Sequence, residues 1–324
     1  MPALKSPASR RWLIPIVFLI ALPFLLFAAI RVSVKLASSV FERRYPPPGQ
    51  MISVDDHKLH LYCIGTGSPT VIIEPGMGQD WVGWRLVIPQ LTAFSKVCVY
   101  DRAGYGWSEP GPWPRTALRS ANDLHVLLTK AAIPGPYILA AHSFGAYIAR
   151  IYASRFRNSL SGVVLVDPSY EDEHPAQPPD AGRRIRELFS LPPLGTERLK
   201  RLHQGRQALP LELRREPAGF QNRYLIASSL IQVKSERNEF DSLDQSEAQV
   251  RANPFPPDLP LIVITAMHLP SAEMRAAHRE LQGKLARSSL FGRQILAENS
   301  RHMIPAEQPG LIVDAIRGLA ASSR

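Results

Sequence analysis

The sequence predicts an α/β protein: a mostly parallel eight-stranded sheet with helices on both faces, a helical cap inserted into it, and one N-terminal transmembrane helix ahead of it. Three patterns carry this. From residue 70 onward, short β-branched apolar runs alternate with helical periods, the signature of strands joined by crossover helices. Four of these runs are apolar on both faces, as strands of a covered parallel sheet are. One interval, 170–259, breaks the rhythm for about 90 residues, too long for a structureless loop inside a compact domain.

In chain order, residues 12–30 come first, 19 consecutive apolar residues. That length crosses a bilayer as a helix, and Pro15 and Pro23 are tolerated in such a helix. A cleaved signal peptide is the alternative. Against it, the apolar run is long, and the nearest small-residue site, Ala37-Ser38-Ser39, lies beyond Arg31 and Lys35. Lys5, Arg10 and Arg11 precede the run, and Arg31, Lys35, Arg43 and Arg44 follow it. The positive-inside rule is therefore nearly balanced and leaves the orientation open. Residues 1–44 read as anchor and flanks, and 45–50, with three prolines, as a stiff linker.

A hairpin is expected next, from strands 51–54 and 58–63 around Asp55-Asp56-His57. Strands are then expected at 70–74, 96–101, 137–141, 162–167, 261–265 and 293–297. Between them, Ala117, Ala121, Leu124, Leu128 and Ala131 share one helical face behind Thr116 as N-cap. Ile312, Ala315, Ile316 and Leu319 do the same near the end, with Pro309 at the helix start. The core is thus 51–169 plus 260–321, and 170–259 is the cap, with helical patches that include Leu225, Ile226, Leu230 and Ile231.

The formal net charge is +10. Its basic residues cluster beside the apolar segment and in 183–235, with no aromatic-interleaved basic tract. This reads as membrane-surface affinity or a solvated face, and argues against nucleic acid. Cys63 and Cys98 have no metal-ligand spacing and sit in strand-like runs; they read as small buried apolar residues and leave the redox compartment open. No metal or organic cofactor is implied.

The chemistry gathers beyond the carboxyl ends of the strands, as it does in open α/β sheets. An apolar strand ends abruptly at Ser143, and a helical pattern starts at once. A serine at that reversal has its hydroxyl thrust out of the sheet at a helix N-terminus, suited to a nucleophile; an ordinary N-cap serine is the bland alternative. After 70–74, Pro75-Gly76-Met77-Gly78 turns tightly, and the N–H groups of Met77 and Phe144 together could hold an oxyanion. The loop 101–108, with Gly104 and Gly106, lacks the third glycine of a dinucleotide fingerprint and reads as structural. His302, between the last strand and the last helix, is the candidate base. His142, adjacent to Ser143, should point away from the reacting face. For the acid that orients His302, Asp167 at a strand end is the better-placed choice, with Glu273 and Asp172 as alternatives. Trp81, Trp84, Trp107 and Trp113 follow two central strands; Trp81 and Trp107, with His268, are candidates to wall an apolar pocket, and packing is the competing reading.

The segments Glu74-Pro-Gly-Met-Gly78, 100–108, His142-Ser-Phe-Gly145, 164–168 and Arg301-His302 together resemble the α/β-hydrolase superfamily, in particular its capped, esterase-like serine members. The resemblance runs from about residue 51 to 319. It implies Ser143 as nucleophile, His302 as base, and the Met77 and Phe144 amides as oxyanion hole. Three positions depart from the pattern: Ala141 and Ala146 stand where glycine is common, and Arg301 precedes the histidine. The expected activity is hydrolysis of a lipophilic, small-molecule carboxylic ester by a membrane-anchored enzyme. Acyl transfer or amide cleavage would use the same residues, and a non-catalytic binding protein would keep only the fold. Haloalkane dehalogenation is disfavoured, because it needs an aspartate in place of Ser143.

Overall fold

The computed structural model describes residues 21–22, 24–26, 32, 43–171, 203–227 and 230–322. Two compact units divide the chain, 1–46 and 47–324. The expected anchor over 12–30 lies largely outside the described residues. Among the described residues, no helix is long and apolar enough to cross a membrane.

In the second unit, eight strands form one sheet: β1 (Gln50–Val54), β2 (His57–Ile64), β3 (Thr70–Glu74), β4 (Lys96–Tyr100), β5 (Tyr137–His142), β6 (Leu160–Val166), β7 (Leu261–Ala266) and β8 (Gly292–Ala297). Their order across the sheet is β1-β2-β4-β3-β5-β6-β7-β8, antiparallel through β1, β2 and β4 and parallel from β4 onward. Strands β3 and β5 are buried along their whole length. That follows from Val71, Ile72, Ile73, Ile138 and Leu139, which give both faces apolar surface to pack under helices. β1 and β8 form the edges and keep polar, partly exposed residues, which discourages further strand pairing.

The helices used below are α1 (Ala117–Lys130), α2 (Gly145–Arg155), α3 (Ala218–Ile226), α4 (Leu230–Asp241), α5 (Leu243–Ala252), α6 (Ala272–Ala286) and α7 (Pro309–Ser322). Thr116 caps α1 by accepting the Arg119 N–H at 3.3 Å, as the pattern around Thr116 predicts. Within the insertion, the described residues form α3, α4, α5 and two short 3-10 turns. The α5 helix lies against α1 and α2, where Ser246 Oγ accepts the Ala117 N–H at 3.0 Å.

The cysteine expectation is corrected. Cys63 and Cys98 are direct cross-strand partners in the antiparallel β2–β4 pair and form a disulfide. Spacing in sequence, 35 residues, could not show this; the register does, because it places the two Cα atoms 4.0 Å apart.

The chain order places the sheet's switch at β3 and β5: β4 lies on one side of β3 and β5 on the other. A crevice opens beyond the carboxyl ends of strands at such a switch. The turn at residues 75–78 and Ser143 leave the sheet there, side by side, with Glu74 of β3 opposite Ala141 of β5.

Candidate active site

Ser143 sits between β5 and α2 with φ 52°, in the left-handed region that a residue with a Cβ adopts only under constraint. The constraint is visible. Its N–H donates to Val166 O at 3.2 Å, and its carbonyl accepts from Ala146 N and Ser169 N at 2.9 and 3.2 Å. The helix must then leave close to β3: a Cβ on Gly145 would fall 2.7 Å from Glu74 O and 2.8 Å from Pro75 O. Glycine is therefore required at 145. At 141 and 146 the methyl groups of Ala141 and Ala146 fit fully buried. A Cβ on Gly76 would meet Ser143 Cβ at 3.1 Å, so the oxyanion turn lies directly against the serine. Neither the Met77 nor the Phe144 N–H donates a hydrogen bond among the described residues.

His302 occupies the loop after β8, and its Nδ1 donates to Asp167 Oδ2 at 2.7 Å. Asp167 ends β6 with φ 40° and is 6% exposed, whereas the His302 side chain is 50% exposed. Asp167 is thus held on a rigid, buried element, and His302 opens toward solvent. Among the described residues no hydrogen bond joins Ser143 Oγ to His302; such bonds commonly tighten only when substrate is bound. Glu273 lies in the first turn of α6, where its own backbone and Ser271 lower its pKa. Asp172 lies outside the described residues. Arg301 is exposed, and its N–H donates to Glu307 Oε2 at 2.6 Å.

Two supporting residues escaped sequence reasoning. Asp167 Oδ1 is bound by His278 Nε2 at 2.8 Å, Gln282 Nε2 at 3.1 Å and the Ala266 N–H at 3.0 Å. Burial alone would raise the Asp167 pKa, but hydrogen bonds from His278 and His302 outweigh it and hold the carboxyl well below its ordinary range. His278 and Gln282 are four apart on α6, the spacing of one helix face, and that was the only signal available.

His142 is a correction. Its ring does not turn away: it lies 4.5 Å from the His302 ring, and its Nε2 is 2.7 Å from His302 O. Burial and the neighbouring His302 charge push its pKa down to about 4, so the ring is neutral at pH 7 and donates from Nε2. Its Nδ1 is 2.7 Å from the Gln79 amide oxygen as placed. A neutral ring has no second proton to give, which orients the Gln79 amide nitrogen toward the ring instead.

The proposed pocket residues are placed elsewhere. Trp81 is fully buried and packs edge-on against Phe220 of α3 at 5.1 Å. Trp107 packs 4.8 Å from the His60 ring. Trp84 is buried and Trp113 is exposed. His268 is exposed, and its N–H donates to Ser300 O at 2.9 Å, tying the β7 loop to the His302 loop. None of them lines the 560 Å³ cavity between the oxyanion turn and the insertion. Gly78, Gln79, Val82, Leu213, Glu236 and Met303 are among the residues that do. Among the described residues no cluster of His, Cys, Asp or Glu could hold a metal ion.

The chain resembles known proteins in the same region. It is 34% identical over 110 residues to an AB hydrolase superfamily protein of Gibberella zeae, covering 33% of this chain and 34% of that protein. It is 32% identical over 108 residues to the uncharacterized protein YqjL of Bacillus subtilis, covering 33% and 43%. The match thus spans less than half the length of these curated relatives. A thermophilic esterase from Thermogutta terrifontis superposes with TM-score 0.61 at 22% identity, over 85% of this chain and 98% of that one. An enol-lactonase from Burkholderia xenovorans gives TM-score 0.62 at 18% identity, over 84% and 100%. At these identities the likeness is one of fold. The family model for the alpha/beta hydrolase fold matches residues 69–307, most of the chain, and the chain belongs to that family.

Proposed function

We propose that the protein is a serine hydrolase that cleaves carboxylic esters with an apolar part. The observation that carries this is the pairing of a constrained Ser143 at the β5–α2 reversal with a His302 whose Nδ1 is held by Asp167 at 2.7 Å. In this reading Ser143 Oγ attacks the ester carbonyl and His302 Nε2 takes its proton. The tetrahedral oxyanion forms against the Met77 and Phe144 N–H groups. His302 then returns the proton to the departing alcohol, leaving an acyl-Ser143. Water, deprotonated by His302, attacks that ester and releases the acid. No cofactor enters these steps. His302 carries positive charge at each tetrahedral stage, which the ionised Asp167 stabilises.

Val82, Leu213 and Met303 give the cavity apolar wall, and Glu212, Asp80 and Glu236 give it acidic groups. Arg85 also lines it and Arg223 pairs with Asp80 at 3.2 Å, so the charge is of both signs and it is the apolar wall that supports an acyl or alkyl group. The N-terminal apolar run supports membrane attachment, and the Cys63–Cys98 disulfide supports residence of the hydrolase unit in an oxidising compartment.

The test pairs a fluorophosphonate probe with neutral p-nitrophenyl esters of increasing chain length. Wild type should be labelled at Ser143 and hydrolyse the esters, while Ser143→Ala should do neither. Retained ester hydrolysis by Ser143→Ala would refute the reading. Extraction of full-length protein from membranes by carbonate alone would refute the anchor.

A further inference from the structure

The turn Pro75-Gly76-Met77-Gly78 is held by side chains from distant parts of the chain. The Arg102 guanidinium has five N–H donors, and all five are engaged. Glu239 takes two, from Nε at 2.8 Å and Nη2 at 3.1 Å. Glu74 Oε1 and Pro75 O take the two on Nη1, both at 2.7 Å. Gly76 O takes the last, from Nη2 at 2.9 Å. Tyr105 completes the set: its hydroxyl donates to Glu239 Oε2 at 2.7 Å and accepts the Gly78 N–H at 3.3 Å. Glu239 is fully buried and Arg102 is 3% exposed.

The consequence is geometric. A trans peptide carries its C=O and N–H on opposite sides. With Gly76 O turned onto Arg102 and also accepting the Gln79 N–H at 3.2 Å, the Met77 N–H must face the other way. With the Gly78 N–H turned onto Tyr105, the next peptide is fixed as well. The Met77 N–H is thereby left unpaired while its neighbours on both sides are tied down. The same guanidinium lies 5.9 Å from the Phe144 ring, so it underlies both residues that would supply the hole.

We infer that Glu239, on helix α4 of the insertion, is a positioning residue for the oxyanion hole: through Arg102 and Tyr105 it fixes the Gly76–Met77 peptide with its N–H toward the reacting carbonyl. The inference rests on the serine-hydrolase reading. A buried ion pair is by itself weak evidence of a stabilising role, because apolar residues fill such space at lower desolvation cost. What this one supplies is direction, since two of the Arg102 donors end on the turn's carbonyls. Gly104 lets α4 come this close; a Cβ there would collide with Ser235. The α4 helix also faces the cavity beside the turn through Gln232 and Glu236, so one helix both lines that cavity and aligns the hole. The insertion then contributes to the chemical step as well as to substrate choice.

The experiment uses the full chain, p-nitrophenyl acetate, a trifluoromethyl ketone that forms an oxyanion on the serine, and an unreactive ether of the same shape. Removing one oxyanion donor costs on the order of 10²–10³-fold in kcat, and Glu239→Gln is expected to lose about 10²-fold. KM and ether affinity should stay within about threefold, and ketone affinity should fall in step with kcat. Tyr105→Phe keeps the Arg102–Glu239 pair and frees the Gly78 N–H; about tenfold is expected, with the same split. If Glu239→Gln does not fold, Tyr105→Phe decides alone. Unchanged kcat in the folded variants, or ether affinity falling together with kcat, overturns the inference. A wild type whose activity survives Ser143→Ala instead overturns the serine reading and takes this inference with it.

Discussion

The elbow at Ser143 and the turn at Met77 stand side by side, yet they are held by opposite means. The elbow is built from its own neighbourhood in sequence: a buried strand, a serine forced to φ 52°, and a glycine two residues on that lets the helix leave. Apart from its contact with the end of β6, its geometry is local. The turn has one local backbone bond of its own, the Gln79 N–H onto Gly76 O at 3.2 Å. The rest of its hold comes from Arg102, Tyr105 and Glu239, up to 137 residues apart from one another. A locally built device is robust to changes elsewhere in the molecule, whereas a remotely held one answers to the insertion.

The largest expected effect tests the local half. Ser143→Ala should fold as wild type does and lose on the order of 10⁴-fold or more in kcat on p-nitrophenyl esters, as other serine triads do. Thermal unfolding checks the fold, and near-wild-type turnover would show that the elbow is only a cap. Next is the base. Asp167→Asn should cost roughly 10³–10⁴-fold in kcat, because the amide favours the wrong imidazole tautomer. Glu273→Gln should remain within about tenfold by the same measure. The opposite ranking would move the acid to α6 and break the proposed triad.

These outcomes bear on what the sequence could reveal. All eight strands were legible, with ends displaced by at most two residues: the central ones because β-branched runs buried on both faces have few other uses, β1 and β2 from the polar turn between them. The placing of Ser143 at a strand-to-helix reversal and the pairing of His302 with Asp167 were legible because chain order and strand ends set them. The disulfide was not, because it depends on the β2–β4 register. The Trp81 and Trp107 assignments failed for a related reason: a large aromatic in a loop after a strand packs under the insertion as readily as it walls a cleft, and here Phe220 and His60 are its partners. The five-donor arrangement at Arg102 was hidden because no local pattern announces which carbonyls a distant guanidinium will meet. Even the direction of His142 was misread, since the alternation of a strand no longer holds at the reversal that ends it.

His142 offers a pH test of how the base is held. Its folded pKa of about 4 lies below the reference 6.5, so folding favours the neutral ring. His302 and Asp167 are the titrating groups facing it, the first lowering and the second raising its pKa. Stability from this residue is therefore complete above about pH 6.5, declines as pH falls toward 4, and declines no further below that. The difference amounts to roughly 3 kcal/mol. Urea unfolding of wild type and His142→Asn across this range should show their stability difference narrowing by about that amount. Parallel curves would mean that the neighbouring His302 ring and burial do not keep His142 neutral.

The smallest effect comes from the seam between the two devices, where a control residue makes the sign informative. Alanine normally stabilises a helix over glycine by about 0.5–1 kcal/mol. Gly318, within α7, has nothing within 4 Å of where a Cβ would stand, so Gly318→Ala should be stabilising by that amount. Gly145→Ala makes the same chemical change one residue after Phe144, but its Cβ would stand 2.7 and 2.8 Å from the Glu74 and Pro75 carbonyl oxygens. These are backbone atoms, and Arg102 already holds Pro75 O in place, so the turn cannot yield cheaply. Overpacking of about 1–3 kcal/mol should exceed the gain in helix propensity, making Gly145→Ala net destabilising in urea unfolding. Because α2 must then move away from β3, the Phe144 and Met77 amides should separate, and kcat should fall while KM changes little. A stabilised Gly145→Ala with normal kcat would show that elbow and turn are not pressed together, and that the remote clamp has more room to move than its contacts describe.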